Sequence, residues 1–495
     1  MTIPAEQQDV VRFLSGLAGG PPRETHISAV FIGSDTVWKL KKAVRMPFLD
    51  FTMLGAREHF LCRELEINKP GAPRLYRDVI GIVRNEDGTL RFGSETPIDF
   101  VLRMARVPDE DFFDVIASNN GLTTALLDAL GDTVAAYHAQ IPRTDGVNFE
   151  ESMRRITEGN VRSATAAGFS STDVESWQKR MLEAIASRRL WFTDRVAGGF
   201  IRRCHGDLHL GNICLWDGKP VPFDALEFDE VLATIDVGYD FAFLLMDLDH
   251  RAGRAAANRV MNRYVAGNGD AKITAGFPVF LSQRAMIRAH VLASMGQDSA
   301  AYLAAAQTYL DPVTPVVVGI GGLQGTGKST LARALAPDLG PAPGALVLRS
   351  DETRKRLHGL PPEARLPPDA YTPTANAETN GALIEQARAA TDAGHAVIVD
   401  ATFLDPAMRD ALATAITPTG TRFLGVWLHA PLSLLEQRIA SRTLDASDAT
   451  VEVLRRSAQD DPGAGDWLPV DASDGTLALE AIRHSLGYLQ PEQSG

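Results

Sequence analysis

Cysteine is scarce in this chain: three residues among 495, at Cys62, Cys204 and Cys214. An odd and sparse set builds no disulfide framework and fits a reducing compartment, so the cytoplasm is the expected location. An excess of positive charge is lacking as well. Against 62 Asp and Glu stand 49 Lys and Arg, a formal charge of -13 with an isoelectric point near 5.4. That balance weighs against general nucleic-acid binding, because phosphate backbones attract basic surfaces. No run approaches the ~18–20 uninterrupted apolar residues of a membrane span. The opening "MTIPAEQQDVVRFLSGLAGG" has no apolar core followed by a cleavage site, so neither a membrane nor a secretory destination is expected. Internal repeats and sustained low-complexity tracts are missing too. What is present, 45% hydrophobic and 22% charged residues, describes an ordinary globular protein. Its length predicts two or three units rather than one core.

The clearest boundary falls in "AAAQTYLDPVTP", residues 304–315, where a helical pattern meets two prolines that cannot continue it. A linker is placed at 311–314. Before it, residues 1–105 contain short β-rich runs such as "AVFIG", "TVWKL", "DVIGIVR" and "DFVLRM", which predict a small sheet lobe. From 106 to 310 apolar residues recur at helical spacing, apart from a strand pair near 212–224. Residues 315–495 form the second half.

That half opens on "VVVGIGGLQGTGKST". Gly322, Gly327, Lys328 and Ser329 have the G-x-x-x-x-G-K-S spacing of a P-loop, between a buried-strand run and a helical run. Backbone N–H groups of Gly322, Gly325, Thr326, Gly327 and Thr330 can curl around phosphate oxygens. Lys328 neutralises terminal phosphate charge, and the Ser329 hydroxyl can ligate Mg²⁺. Two further strand ends deliver Asp351 with Arg354, and Asp400; ligands bind at the carboxyl ends of strands in such sheets. Asp400 suits the metal or water shell, Asp351 the acceptance of a hydroxyl proton, and Arg354 the holding of substrate or phosphate. A plain helix N-cap is the other reading of either aspartate. Arg438 and Arg442 fall four apart on one helical face, either as lid arginines closing on the transferred phosphate or as a solvated charged face. With Asp351-x-x-Arg354 and the paired arginines, residues 315–495 resemble the small P-loop kinases grouped around zeta-toxin, gluconate kinase and polynucleotide kinase. The resemblance implies an α/β domain with a parallel sheet that phosphorylates a hydroxyl.

In the first half, "CHGDLHLGNIC" at 204–214 crowds two cysteines, two histidines and an aspartate together. Zinc is a poor reading, since Cys204 and Cys214 are too far apart for a Cys pair and Cys62 has no ligand cluster beside it. A kinase loop needs an aspartate to orient the acceptor hydroxyl, an asparagine five positions on for Mg²⁺, and a second Mg²⁺ aspartate downstream. Asp207 and Asn212 have that spacing, and "ICLWDGKPVPFDALEFD" reads as a hairpin turning at Asp217-Gly218 that presents Asp224. "TVWKLKK" offers Lys39 on a strand, with Lys41 on the same face, and "CRELEINKP" offers Glu64 as its helix partner. An exposed edge-strand lysine is the alternative for Lys39. Asp236, Asp240 and His138 read as capping or packed residues.

These residues resemble the aminoglycoside phosphotransferase family, whose H-G-D-x-x-x-x-N loop is matched by His205, Gly206, Asp207 and Asn212. The likeness runs over about 26–300, through "THISAVFIGSDTVWKLKK", "FLDF" and "IDVGYDFAFLLMDL". It is nearest a bacterial branch often fused to a P-loop kinase. It implies an α+β protein-kinase-like bilobal domain with Asp207 as catalytic base, Asn212 and Asp224 as metal ligands, and Lys39 as the nucleotide phosphate contact. Two departures stand out: only the short "FIGSDT" turn precedes Lys39 where a glycine-rich loop belongs, and Ala225 follows Asp224 where protein kinases have glycine.

The expectation is a bifunctional kinase with two Mg-ATP sites, phosphorylating hydroxyls of small molecules such as sugars, nucleosides or related metabolites. One alternative keeps only the P-loop half active, with the first half as a nucleotide-dependent sensor. A lesser one is an aminoglycoside resistance kinase. The acceptor, the order of any two steps and the oligomeric state are not written in the sequence.

Overall fold

The computed structural model describes residues 3–46, 49–441 and 450–487. The chain divides into two compact units, one of residues 1–126, 137–147 and 198–240, the other of 127–136, 148–197 and 241–495.

The first unit is built on an antiparallel sheet of β1 (Arg23–Glu24), β2 (Ser28–Ile32), β3 (Thr36–Lys41), β4 (Tyr76–Arg84), β5 (Leu90–Phe92) and β6 (Asp99–Ala105), in the order β1-β2-β3-β6-β4-β5. Side chains alternate across a strand, and each face of this sheet has its own cover. Ala29, Phe31, Leu40, Ile82 and Val101 pack under Val10 and Leu14 of the helix Gln8–Ala18. Tyr76, Leu102 and Met104 pack on the other face against Leu61 of helix α1 (Leu54–Asn68) and against Cys214. Leu40 faces the first core, so Lys39 and Lys41 both face α1. The hairpin β7 (Ile213–Trp216) and β8 (Lys219–Pro222) turns at Asp217 and Gly218, with φ of 51° and 74°. Two consecutive left-handed residues match the twist of the flanking strands, which is why Asp-Gly marks such a turn.

The second unit contains helix α2 (Arg254–Asn268) and a parallel sheet of β9 (Val316–Gly322), β10 (Leu346–Arg349), β11 (Val397–Asp400), β12 (Arg422–His429) and β13 (Leu468–Asp471), in the order β10-β11-β9-β12-β13. Every residue of β9 is buried, as a continuous apolar run demands of a central parallel strand. Helices α3 (Lys328–Leu335) and α4 (Ser350–Leu357) follow β9 and β10. Val318, Ile320, Ile398 and Val426 meet Leu331 and Leu335 of α3 in one core. Earlier helices of this unit are pinned by polar groups as well as apolar ones: Trp177 Nε1 donates to Ser282 Oγ at 2.9 Å, and Asn160 Nδ2 to Gln283 Oε1 at 2.7 Å. No helix among the described residues is long and apolar enough to cross a membrane.

Trp467 lies so close over β12 that a Cβ on Gly425 would sit 2.5 Å from three of its ring atoms. Gly425→Ala is therefore expected to destabilise the P-loop sheet by about 1–3 kcal/mol through overpacking, read as a lower unfolding midpoint in urea.

Candidate functional site

In the first unit, β3 delivers Lys39 and Lys41 and α1 delivers Glu64. Lys39 Nζ donates to Glu64 Oε1 at 2.6 Å and to Asp224 Oδ1 at 2.5 Å. Lys41 Nζ donates to Glu64 Oε2 at 2.8 Å and also pairs with Glu227. Two ammonium groups thus face three carboxylates: Lys41, Glu64 and Glu227 are buried, Asp224 is partly exposed, and removing either lysine strips a buried carboxylate of a partner. Burial alone would depress the Lys39 ammonium, but Asp224, Glu64 and Glu227 hold it well above the ordinary lysine value. Desolvation would raise Asp224, yet the Lys39 charge and hydrogen bond bring it below the usual carboxylate range. Glu64 goes the other way: its burial outweighs the two lysines and raises it.

Asp224 adopts φ 61°, a left-handed conformation uncommon for a residue with a side chain. Its N–H donates to Tyr76 Oη at 2.9 Å, and the N–H of Ala225 donates to Asn68 Oδ1 at 2.9 Å, so β4 and α1 hold the turn in that shape. Asn212 Nδ2 donates to the main-chain oxygen of Asp207 at 2.9 Å and to its Oδ2 at 3.0 Å, which leaves Oδ1 as the oxygen Asn212 can offer a cation. The Asp207 loop hangs from Asp240, whose carboxylate accepts the N–H of His205 at 3.1 Å, the N–H of Gly206 at 2.8 Å and His138 Nε2 at 3.1 Å. His205 Nδ1 accepts the N–H of Asp207 at 3.3 Å, so Nε2 carries the proton and donates to Phe223 O at 2.9 Å. Burial lowers the His205 pKa despite Asp240 and Asp207 nearby, consistent with a neutral ring that anchors the loop.

His138, Cys204 and Asp240 approach within 4.8 Å of one another. Asp240 is saturated by hydrogen bonds, and the Cys204 thiol donates to Ile235 O at 3.5 Å, so the trio is a hydrogen-bonded anchor and a poor fit to a metal. Burial pushes the Cys214 thiol up to about 12, far from a zinc-binding thiolate.

In the second unit, the P-loop lies between β9 and α3. A Cβ on Gly322 would fall 2.3 Å from Leu428 O and one on Gly325 2.8 Å from Leu435 O, so only glycine fits either place. Lys328 Nζ donates to the carbonyls of Gly322 and Leu323, both at 2.9 Å. Thr326 ties the loop through Leu323 O at 2.8 Å, and Gly327 caps α3 in a left-handed conformation. Ser329 Oγ donates to Asp400 Oδ2 at 2.6 Å, and buried Arg349 donates to Asp400 at 3.2 Å and Ser329 at 2.9 Å. A hydroxyl, a carboxylate and the P-loop amides form a donor set that fits a hard cation with phosphate oxygens.

These groups line a cavity of about 1210 Å³ that also includes Thr330, Asp351, Arg354, Tyr371, Asn376 and Arg438. Asp351 is in the first turn of α4. Arg354 donates to Ala370 O at 2.7 Å and its guanidinium sits 5.0 Å from the Tyr371 ring centre; burial lowers its pKa, although it remains a cation. Arg438 donates to the carbonyls of Ala472 and Ser473 at 2.9 and 2.8 Å. Arg442 lies outside the described residues, as does Phe48 of the "FLDF" run. Glu227, Tyr76, Asn68 and Arg349 were not among the site residues read from the sequence. Lys41 carried a signal for one of them: a second inward lysine beside Lys39 requires a further buried carboxylate.

Residues 55–273 match the model of the phosphotransferase enzyme family, and residues 317–460 match that of an AAA domain. The chain is an ATP-dependent kinase. It joins a protein-kinase-like phosphotransferase domain to a P-loop kinase domain on a five-stranded parallel sheet. It is 28% identical over 451 residues to uncharacterized protein Rv2004c of Mycobacterium tuberculosis, covering 87% of this chain and 88% of that protein. Uncharacterized protein Mb2027c of Mycobacterium bovis matches to the same extent. Among solved structures, a choline kinase from Cryptosporidium parvum covers 58% of this chain and 86% of its own at 10% identity, with a TM-score of 0.37. A gluconokinase from Sinorhizobium meliloti covers 37% and 98% at 20% identity, with a TM-score of 0.25.

Lys39→Met would leave Glu64, Asp224 and Glu227 facing Lys41 alone. The expected loss of stability is about 3–5 kcal/mol, the usual result of removing one partner of a buried pair. The lysine's contribution persists until pH rises through its raised pKa. That of Asp224 lies above the ordinary carboxylate value of ~3.9 and fades as pH falls through its depressed one. In the variant the carboxylates protonate more readily, so urea unfolding should show a smaller deficit at pH 5 than at pH 8.

Proposed function

We propose that both domains are active and that each transfers the terminal phosphoryl group of ATP to a hydroxyl of a small molecule such as a sugar, nucleoside or related metabolite. The observation that carries this reading is that each unit holds a full set of groups for the transfer: Lys39, Asp207, Asn212 and Asp224 in one, Lys328, Ser329, Asp351 and Asp400 in the other.

In the first site Asp207 takes the proton of the acceptor hydroxyl as its oxygen bonds to phosphorus and the bond to the departing ADP breaks. Asn212 holds Asp207 in place, and its Oδ1 and the Asp224 carboxylate would hold a metal. Lys39 exchanges a carboxylate for a phosphate oxygen. In the second, Asp351 has the proton-accepting role, Arg354 holds the acceptor or a phosphate, and Arg438 and Arg442 have the role of lid arginines for the transferred phosphate. Lys328 exchanges loop carbonyls for phosphate, while Ser329 and Asp400 would hold the metal. Glycines 322, 325 and 327 with Thr326 and Thr330 supply the cradle, and Glu64 keeps Lys39 aimed. Mg²⁺, when bound at either site, supplies charge neutralisation on the phosphates. The acidic balance of the chain and its few cysteines support a cytoplasmic enzyme of small molecules.

ATP turnover of the wild type, Asp207→Asn and Lys328→Ala, against a panel of sugars, nucleosides and aminoglycosides, tests the scheme. Each single variant is expected to lose about 10³-fold or more on one class of acceptor and keep the other. If Lys328→Ala removes all turnover, the first domain is a nucleotide sensor. If an aminoglycoside is the acceptor lost with Asp207→Asn, the first domain is a resistance kinase.

A further inference from the structure

Among the described residues, strand β10 is the outer edge of the P-loop sheet, paired on one side only, with β11. The N–H of Leu346 points inward and donates to Ala396 O at 2.9 Å. By strand alternation, the main-chain groups of Ala345 and Val347 face away from the sheet. Ala345 is fully buried and Val347 nearly so, so those groups need partners.

The N–H of Ala345 donates to Ala336 O at 2.8 Å, and helix α2 provides partners for Ala345 O and the N–H of Val347. Asn262 Oδ1 accepts the N–H of Val347 at 2.6 Å, and Asn262 Nδ2 donates to Ala345 O at 3.2 Å. One turn earlier on the helix, Asn258 Nδ2 donates to the same carbonyl at 3.0 Å. Accepting from residue i+2 while donating to residue i is what one residue of a neighbouring parallel strand does with its own C=O and N–H. The next residue, Arg263, reaches past the strand: it pairs with Glu363, beyond α4, at 2.6 and 3.0 Å, and with Asp132 at 2.6 and 2.7 Å. The segment held between these two clamps contains Arg349, which braces Ser329 and Asp400, and α4 with Asp351 and Arg354.

We propose that α2 acts as a surrogate edge strand for the P-loop sheet, and that Asn262 and Arg263 are positioning residues of the P-loop kinase site. The inference rests on the reading of that site as a phosphoryl-transfer centre. A clamp on β10 fixes the register of Arg349 against Asp400, and displacements near 1 Å are enough to spoil in-line transfer. Helix α2 falls within residues 55–273, the stretch matched by the phosphotransferase family. A helix of one kinase is therefore a working part of the other.

The test uses the full-length chain carrying Asp207→Asn, with Asn262→Leu, Arg263→Ala or Arg263→Lys added, followed by hydrogen exchange in the presence of Mg-AMPPNP. Losing partners for buried main-chain groups is expected to speed exchange of residues 346–357 by about tenfold or more in Asn262→Leu, with residues 316–330 unchanged. Lys328-dependent ATP turnover should lose kcat while KM for ATP stays within about threefold, and Arg263→Lys should keep most of what Arg263→Ala loses. Unchanged exchange at 346–357, or equal acceleration throughout the sheet, would overturn the proposal. A failure of the kinase reading looks different: Lys328→Ala would then leave the turnover of the Asp207→Asn chain intact.

Discussion

A lysine kept ready for a phosphate must be satisfied before the phosphate arrives. An ammonium buried without a partner loses its proton or its place, and both units of this chain solve that problem with borrowed acceptors. Lys39 rests between Glu64 and Asp224, and Lys328 rests on the carbonyls of its own loop. The consequences differ. Carboxylates are strong competitors for the lysine, so the first unit needs Lys41 and Glu227 to keep the charges matched as Asp224 turns to another partner. Carbonyls release a lysine at less cost than carboxylates do.

The two units also anchor their reactive loops differently. In the first, a single buried carboxylate, Asp240, gathers two backbone amides and His138, so the loop bearing Asp207 is fixed through its main chain. In the second, fixation comes from side chains: Arg349 joins Ser329 to Asp400 before any metal does. That guanidinium, the Ser329 hydroxyl and the Asp400 carboxylate form one hydrogen-bonded cluster.

Features that depend on neighbours in sequence were legible from the start. The P-loop announces itself by glycine spacing between a strand and a helix, the β7–β8 hairpin by Asp217-Gly218, and the shared face of Lys39 and Lys41 by strand alternation. What stayed hidden involves long separations. Glu227 lies 186 positions from Lys41 and reads as one of several acids after Phe223. Asp240 reads as a helix cap until the loop at 205–206 folds back on it. Arg349 looks like the polar end of a strand, because only the parallel neighbour β11 brings Asp400 to its side.

The same logic explains why helix α2 gave no sign of its second allegiance. Asn258 and Asn262, four apart, look like ordinary polar positions on an amphipathic helix, since a side-chain amide is equally at home in water. Their meaning comes from β10, where Val347 lies 85 positions beyond Asn262 and where no strand among the described residues covers the outer side. A parallel sheet buried at its edge must recruit some peptide-like partner, and asparagine is the shortest side chain that carries an amide. Since that partner is a helix lying within the phosphotransferase match, the P-loop sheet draws its edge partners from residues that precede its own matched stretch.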